Sequence, residues 1–575
     1  MKRRAAILLA ASALAPAAAQ TPATPRPNIV LIIADDWGFS DPGRYGSEIA
    51  TPNIDALARQ GTSFANFHVA ASCSPTRAML LTGVNAHKAG LGNMPETIPP
   101  AHRGQPGYNA MLAPGVTTLA QRLKRAGYAT LYAGKWHLGH DAADLPTARG
   151  WDRALALSQS GADNMENKPN RLLYERADWT RDGKTARLPR RFYSSTLIVD
   201  EAIAQIDSVQ GKPFFATLGF LANHIPLQAS EADIARYQGR YAAGWTALRA
   251  RRAAGVARAG LLPAITPVVM DSTRDWQALD AAERARWARA MAVYAGMATA
   301  MDREVGRLVA HLKASGQYDN TLFVFVSDNG AEATNPEANR FTTFNARLQY
   351  DLASERQGQP GSFTYIGASW ASAAASPLRG FKFSAWEGGV RVPFILSLPP
   401  GLRQARGQVA TAPAHAVDLA PTLLDLAGIA GRQGLEGRSL VPALIDPAAA
   451  VHDAAEPIGY ELSGNAVLYQ GPYKLVKNLP PYGDGAWHLF DIMADPGEAR
   501  DLAAADPARL AAMQAAWADW ARANQVLPMP PGYSAPQQIQ DNATRDLLPG
   551  RLAPMLASLW LLAVSLWVGR RWRRR

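Results

Sequence analysis

Four short apolar runs along the chain each stop abruptly in a cluster of polar residues. Asn28 to Ile33 ends in Asp35-Asp36, and Tyr128 to Ala133 ends in Gly134-Lys135-Trp136-His137. Phe214 to Phe220 ends near Asn223-His224-Ile225-Pro226, and Leu322 to Val326 ends in Ser327-Asp328-Asn329-Gly330. Unbroken apolar runs of this length predict strands covered on both faces. Helical periodicity separates them, over Val116 to Ala126 and the long stretch Asp280 to Ala314. The alternation predicts an α/β fold: a mixed, largely parallel sheet with helices on both faces. Such sheets take ligands beyond the carboxyl ends of their strands, so the four clusters are expected to meet in one place.

The texture changes after residue 445. Tyr473 to Lys477 and Trp487 to Asp491 read as short strands, Asp495-Pro496-Gly497 as a turn, and Pro507 to Ala523 as a helix. A main domain over 27–444 and a small C-terminal α+β subdomain over 445–524 follow. Residues 525–551, rich in Pro, Gly, Asn and Gln, read as a linker.

The two ends read as targeting segments. Lys2 to Arg4, the apolar run Ala5 to Leu14 and Ala17-Ala18-Ala19 form the three regions of a secretory signal peptide over 1–19. Leu552 to Val568 carries no charge and spans about 25 Å as a helix, short for a bilayer. Trp560, Trp567 and Trp572 and the basic tail over 569–575 suit an interfacial anchor with the arginines inside. A removable sorting tail is the alternative. The expectation is an exported protein of the bacterial periplasm, tethered to the inner membrane by its C-terminal helix.

Composition narrows the function. Across 575 residues, 48% are hydrophobic and 19% charged, which is globular. The net charge of +11 sits largely at the ends, in Lys2, Arg3 and Arg4 and in Arg570, Arg571, Arg573, Arg574 and Arg575. About +3 remains for everything between, so no nucleic-acid partner is expected. The single cysteine, Cys73, cannot form an internal disulfide, and it lies in Cys73-Ser74-Pro75-Thr76-Arg77 beside a proline and a cation.

Asp35, Asp36, Asp328 and Asn329 offer only oxygen ligands, which suits Ca²⁺ or Mg²⁺ rather than Zn²⁺. Either pair alone is an ordinary turn signal, but both terminate strongly apolar strands. Arg77, Lys135, His137, His224 and Lys382 form a cationic set. With a divalent cation they make a site for a doubly charged tetrahedral oxyanion.

These residues resemble the type I sulfatases of the alkaline-phosphatase superfamily, and their arylsulfatase branch in particular. Cys73-Ser74-Pro75-Thr76-Arg77 with Leu81-Thr82-Gly83 is similar to the first family signature, and Gly134-Lys135-Trp136-His137-Leu138-Gly139 to the second. Further blocks are Asn28 to Trp37, Ser327 to Gly330, Leu378 to Lys382, Glu387 to Pro393, and the arylsulfatase-like His224 to Gln228. Val84 and Asn223 depart from the usual pattern without touching these motifs.

The resemblance implies an alkaline-phosphatase-like fold and a sulfuric ester hydrolase that cleaves a sulfate monoester. It implies that a maturation enzyme oxidises Cys73 to formylglycine (3-oxoalanine), whose hydrate attacks sulfur. It implies metal ligation by Asp35, Asp36, Asp328, Asn329 and the modified Cys73, with Asp328 assisting deprotonation of the nucleophile. His224 and Lys382 then serve the leaving group, His137 takes the proton that expels sulfate, and Arg77 and Lys135 steady the sulfate. A phosphonate monoester hydrolase or phosphodiesterase of the same superfamily is the nearest alternative, and an inactive anchored binding protein a further one. The pocket for the alcohol half is expected from loops such as Glu332 to Ser376.

Overall fold

The computed structural model of the chain describes residues 26–403 and 405–550. Its centre is a ten-stranded sheet. The strands run in spatial order Gln408–Ala410, Thr62–Phe64, Phe394–Ser397, Thr321–Ser327, Asn28–Ala34, Phe214–Gly219, Ala129–Lys135, Arg153–Leu157, Trp179–Arg181 and Lys184–Thr185. The five from Thr321–Ser327 to Arg153–Leu157 are mutually parallel, and antiparallel strands join at both flanks.

Asn28–Ala34 shows why these runs are continuously apolar. Ile29, Leu31 and Ile33 face a core shared with Met79, Leu119 and Leu423, while Val30, Ile32 and Ala34 face one shared with Ile198, Met301 and Leu308. Both sides of the strand are buried, so no alternate position is free to be polar. Helices Ser194–Asp207 and Ala281–Ala314 cover one face, and Cys73–Thr82, Leu119–Arg125 and Leu419–Leu426 the other. The helix expected over Val116 to Ala126 begins only at Leu119, because Thr118 and Gln121 form a capping box that fixes its start.

The C-terminal unit is an antiparallel sheet of Ile458–Leu462, Asn465–Gln470, Tyr473–Lys477 and Trp487–Asp491. Helix Pro507–Ala523 lays Leu510, Met513, Trp517 and Trp520 against it. A buried ionic cluster ties this sheet to the main domain. Glu387 receives Lys474 Nζ at 2.8 Å, the Tyr469 hydroxyl at 2.9 Å, His68 Nε2 at 3.0 Å and Arg391 Nη1 at 3.3 Å.

Over 525–550 the stretch read as a linker is packed on the main domain, and its residues 535–550 are helical. Ala535, Ile539, Ala543 and Leu547 recur at every fourth position, a stripe that the Pro- and Gln-rich composition conceals. The Asn542 side-chain amide donates to the carbonyls of Glu96 (2.9 Å) and Ile98 (3.1 Å), and the Tyr533 hydroxyl donates to that of Thr97 (2.7 Å). Among the described residues no helix is long and apolar enough to cross a membrane. The segments expected as signal peptide (1–19), anchor (Leu552 to Val568) and basic tail (569–575) lie outside the described residues.

Candidate active site

The four polar clusters converge at the carboxyl ends of the central strands. Parallel register aligns the strand ends: Ala34 pairs with Ser327, and Ile33 with Gly219, which in turn pairs with Gly134. Backbone bonds beyond the sheet hold the turns, from Asp35 N–H to Ala222 O (2.9 Å) and from Asp328 N–H to Ala34 O (3.1 Å). Asp36 and His137 both take left-handed backbone, φ 62° and 57°. Non-glycine residues adopt that region at a cost and cluster at functional sites. Gly134, at φ 115°, has no such choice, since a Cβ there would stand 1.9 Å from the Gly219 carbonyl oxygen.

Cys73 is the first residue of helix Cys73–Thr82, fully buried, and Arg77 follows one turn later on the same face. The Cys73 thiol lies 3.5 Å from Asp35 Oδ1. Arg77 donates from Nε to Asp328 Oδ2 at 2.7 Å and from Nη1 to the Lys135 carbonyl at 2.8 Å. Lys135 Nζ meets Asp35 Oδ2 at 2.7 Å. Lys382 Nζ meets Asp36 Oδ1 at 2.7 Å and Glu332 Oε2 at 2.9 Å. Asn329 Nδ2 donates to Asp36 Oδ1 at 2.6 Å.

Two histidines flank this network in defined tautomers. His224 Nδ1 faces the Ile225 carbonyl at 2.7 Å and so carries the hydrogen, leaving Nε2 to accept from the Ser160 hydroxyl at 3.2 Å. His137 Nε2 stands 3.3 Å from both oxygens of Glu96, which is also held by Tyr174. His137 Nδ1 is therefore the basic nitrogen, buried and without a hydrogen-bond partner among the described residues.

Burial opposes every charge here, and the neighbours decide each outcome. Burial raises Asp36 to about 8, with Asp35 and Glu332 adding to it against Lys382. It pushes Asp35 the same way, but Lys135, His224 and Arg77 outweigh it and hold that carboxyl well below the ordinary range. Burial lowers His137 to about 4 against Glu96, and lowers His224 to about 3 with Lys135 reinforcing it. Both imidazoles are neutral at pH 7. Burial and Asp328 push the Cys73 thiol well up, so it remains protonated and is a poor nucleophile as it stands.

The donor set fits a hard divalent cation. Asp35, Asp36, Cys73 and Asp328 each offer a ligand atom, all within 4.8 Å of one another. Among the described residues Asp36 Oδ2 and Asn329 Oδ1 are buried acceptors without a hydrogen-bond partner, an arrangement that a cation would resolve. Thus Asp35, Asp36, Cys73, Arg77, Lys135, His224, Asp328, Asn329 and Lys382 share one network, with His137 at its edge. Sequence reasoning missed Glu332, Glu96, Tyr174 and Ser160 as members. Glu332 lies four residues beyond Asp328, close to a legible strand end, whereas Glu96 sits in the single 3-10 turn Pro95–Thr97 and Tyr174 and Ser160 in irregular segments, none with a periodic signal.

Fold and site together define an alkaline-phosphatase-like hydrolytic scaffold, and comparison with known proteins gives the family. The Sulfatase family profile matches residues 27–429. An uncharacterized sulfatase of Schizosaccharomyces pombe is 36% identical over 510 residues, covering 84% of this chain and 91% of that protein. An arylsulfatase of Klebsiella aerogenes is 35% identical over 427 residues, covering 72% of this chain and 90% of its own. Among solved structures, Ps i-CgsB in complex with k-i-k-neocarrahexaose aligns with TM-score 0.64 at 27% identity, over 91% of this chain and 98% of that one. The chain belongs to the sulfatase family and is a sulfatase.

Proposed function

We propose that the chain hydrolyses a sulfate monoester to an alcohol or phenol plus sulfate, with Cys73 acting in its oxidised formylglycine form. Asp35, Asp36, Asp328 and Asn329 would hold the divalent cation, Ca²⁺ or Mg²⁺. The observation that carries this reading is a buried, protonated thiol at a helix start, set among Arg77, Lys135 and Lys382 and three aspartates. The hydrated aldehyde would supply a hydroxyl nucleophile and a second hydroxyl, and the cation, held by Asp35, Asp36, Asp328 and Asn329, would supply Lewis-acid polarisation of the ester.

The chain's own groups do the rest. Asp328 takes the proton of the attacking hydroxyl, and Arg77 keeps that carboxylate aimed. Lys135 and Arg77 balance the sulfate oxygens. The bond between sulfur and the alcohol oxygen breaks on the side of Lys382 and His224. Lys382 carries the proton there, since His224 is neutral with its hydrogen on Nδ1. His137 Nδ1 accepts the proton whose removal releases sulfate and restores the aldehyde. Ester plus water becomes alcohol, sulfate and a proton.

Charge selects among oxyanions. With all four carboxylates ionised, as a bound cation would require of Asp36, the set Asp35, Asp36, Asp328 and Glu332 exceeds Arg77, Lys135 and Lys382 by one negative charge. A bound divalent cation would turn this into one positive charge, which matches a singly charged sulfate ester.

Mass spectrometry of the peptide containing Cys73, paired with turnover of an aryl sulfate and a phenyl phosphonate ester, tests the reading. Formylglycine and preference for the sulfate are expected. An intact thiol in every molecule of active enzyme defeats the mechanism, and preference for the phosphonate ester favours the alternative hydrolase. Export through residues 1–19 to the periplasm and tethering by Leu552 to Val568 complete the proposal on sequence grounds. Cell fractionation checks them.

A further inference from the structure

A cavity of about 490 Å³ opens from the leaving-group side of the site. Its inner end holds Ser160, His224, Glu332 and Lys382. Beyond them the wall becomes mostly apolar: Phe341, Phe363, Phe383 and Tyr482 line one part and Ile539 and Leu547 of the 535–550 helix another, with scattered neutral polar groups such as Thr342 and Gln540 and no further cation among the lining residues. Among the lining residues, Lys382 is the only lysine or arginine, and it is paired with Asp36 and Glu332. At the rim, Phe341 and Leu548 remain 67% and 47% exposed. Exposed apolar groups gathered at a cavity mouth mark a binding surface.

Resting on the sulfatase reading above, we propose that the helix over 535–550 is a specificity element that selects sulfate esters of extended apolar alcohols. The sulfate must sit at the polar inner end, because the cations and carboxylates are there. The alcohol half then extends along the cavity that reaches His224 and Lys382, past the phenylalanines and the helix. The volume falls in the range that encloses a drug-sized ligand and exceeds what one phenyl ring needs. A sulfated oligosaccharide is the poorer occupant, since its hydroxyls would lose water against a mostly apolar wall and its further sulfates would meet no unpaired cation among the described lining residues. The helix is held in place by Asn542, whose bonds reach Glu96 O and Ile98 O, so the wall is fixed relative to the site.

The test is a series of 4-alkylphenyl sulfates from methyl to octyl, in which leaving-group basicity stays nearly constant and only apolar length changes. With the mature full-length enzyme, kcat/KM should rise about two- to fourfold per added CH2 over the first several carbons, mainly through KM. Glucosamine 6-sulfate should be at least about a hundredfold poorer than the best member. Ile539→Gln and Leu547→Gln should each cut the octyl-to-methyl ratio about tenfold or more. Should a variant misfold, the wild-type series decides alone. Turnover of the methyl member with a flat series, or preference for the sulfated sugar, overturns the selectivity and leaves the sulfatase reading standing. Failure to cleave any sulfate ester overturns both.

Discussion

Glu96 illustrates how much one carboxylate outside the motifs can matter. It fixes which nitrogen of His137 carries hydrogen and raises the basicity of the ring against burial. Glu96→Gln removes that support, so the His137 titration moves below about 4. A base works when unprotonated, above its pKa, and the acid limb of the kcat profile should shift to lower pH while the plateau falls tenfold or more. A lower plateau with an unmoved limb would mean that Glu96 only shapes the loop. Asn329→Ala would remove the neutral oxygen proposed as a cation ligand and, on that reading, should raise the concentration of Ca²⁺ for half-maximal activity, read by titration into chelated enzyme. Asp35, Asp36, Lys135 and Asp328 were legible because they end apolar strands, whereas Arg77, on a helix, and Lys382, in a turn, were legible only through the motifs they sit in. Glu96, Tyr174 and Ser160 were not, because a loop residue that orients a histidine leaves no periodic trace.

Among the elements, the strands were the most legible and the last helix the least. Two-sided burial makes a strand unbroken in its hydrophobicity, so Asn28–Ala34 and Thr321–Ser327 announce themselves. The 535–550 helix carries its apolar stripe within a polar, Pro-flanked sequence, and its role as a pocket wall depends on a partner surface far away in the chain. Gly134 was read as part of a motif, but its reason is steric, because the neighbouring strand passes too close for any side chain. Gly134→Ala should force Ala129–Lys135 and Phe214–Gly219 apart, and backbone strain alone costs about 1–3 kcal/mol. A thermal melt should show a fall of several degrees, together with loss of activity as Lys135 leaves Asp35.

The two sheets behave as one body because Glu387 is shared between them. Lys474→Met leaves that buried carboxylate short of a cation and should cost about 3–5 kcal/mol, measured by urea unfolding. Glu387 lies in a block that resembles a family motif, yet its contacts are with His68, Arg391, Tyr469 and Lys474, so this part of the motif marks a junction between sheets. Chelation should abolish activity of the intact enzyme without unfolding it, and Ca²⁺ or Mg²⁺ should restore it better than Zn²⁺. Recovery with zinc alone would point to a different ligand set.

Cys73 is wholly enclosed, with Asp35 over its sulfur and the Ala71 carbonyl bonded to the Phe383 amide alongside. This imposes a timetable. On the formylglycine reading proposed above, a macromolecular oxidant would have no route to the thiol once the sheet has closed, so conversion would have to precede folding. Purified folded protein that still carries the thiol should resist the maturation enzyme indefinitely, while a short unfolded peptide spanning Cys73 to Arg77 should be converted readily.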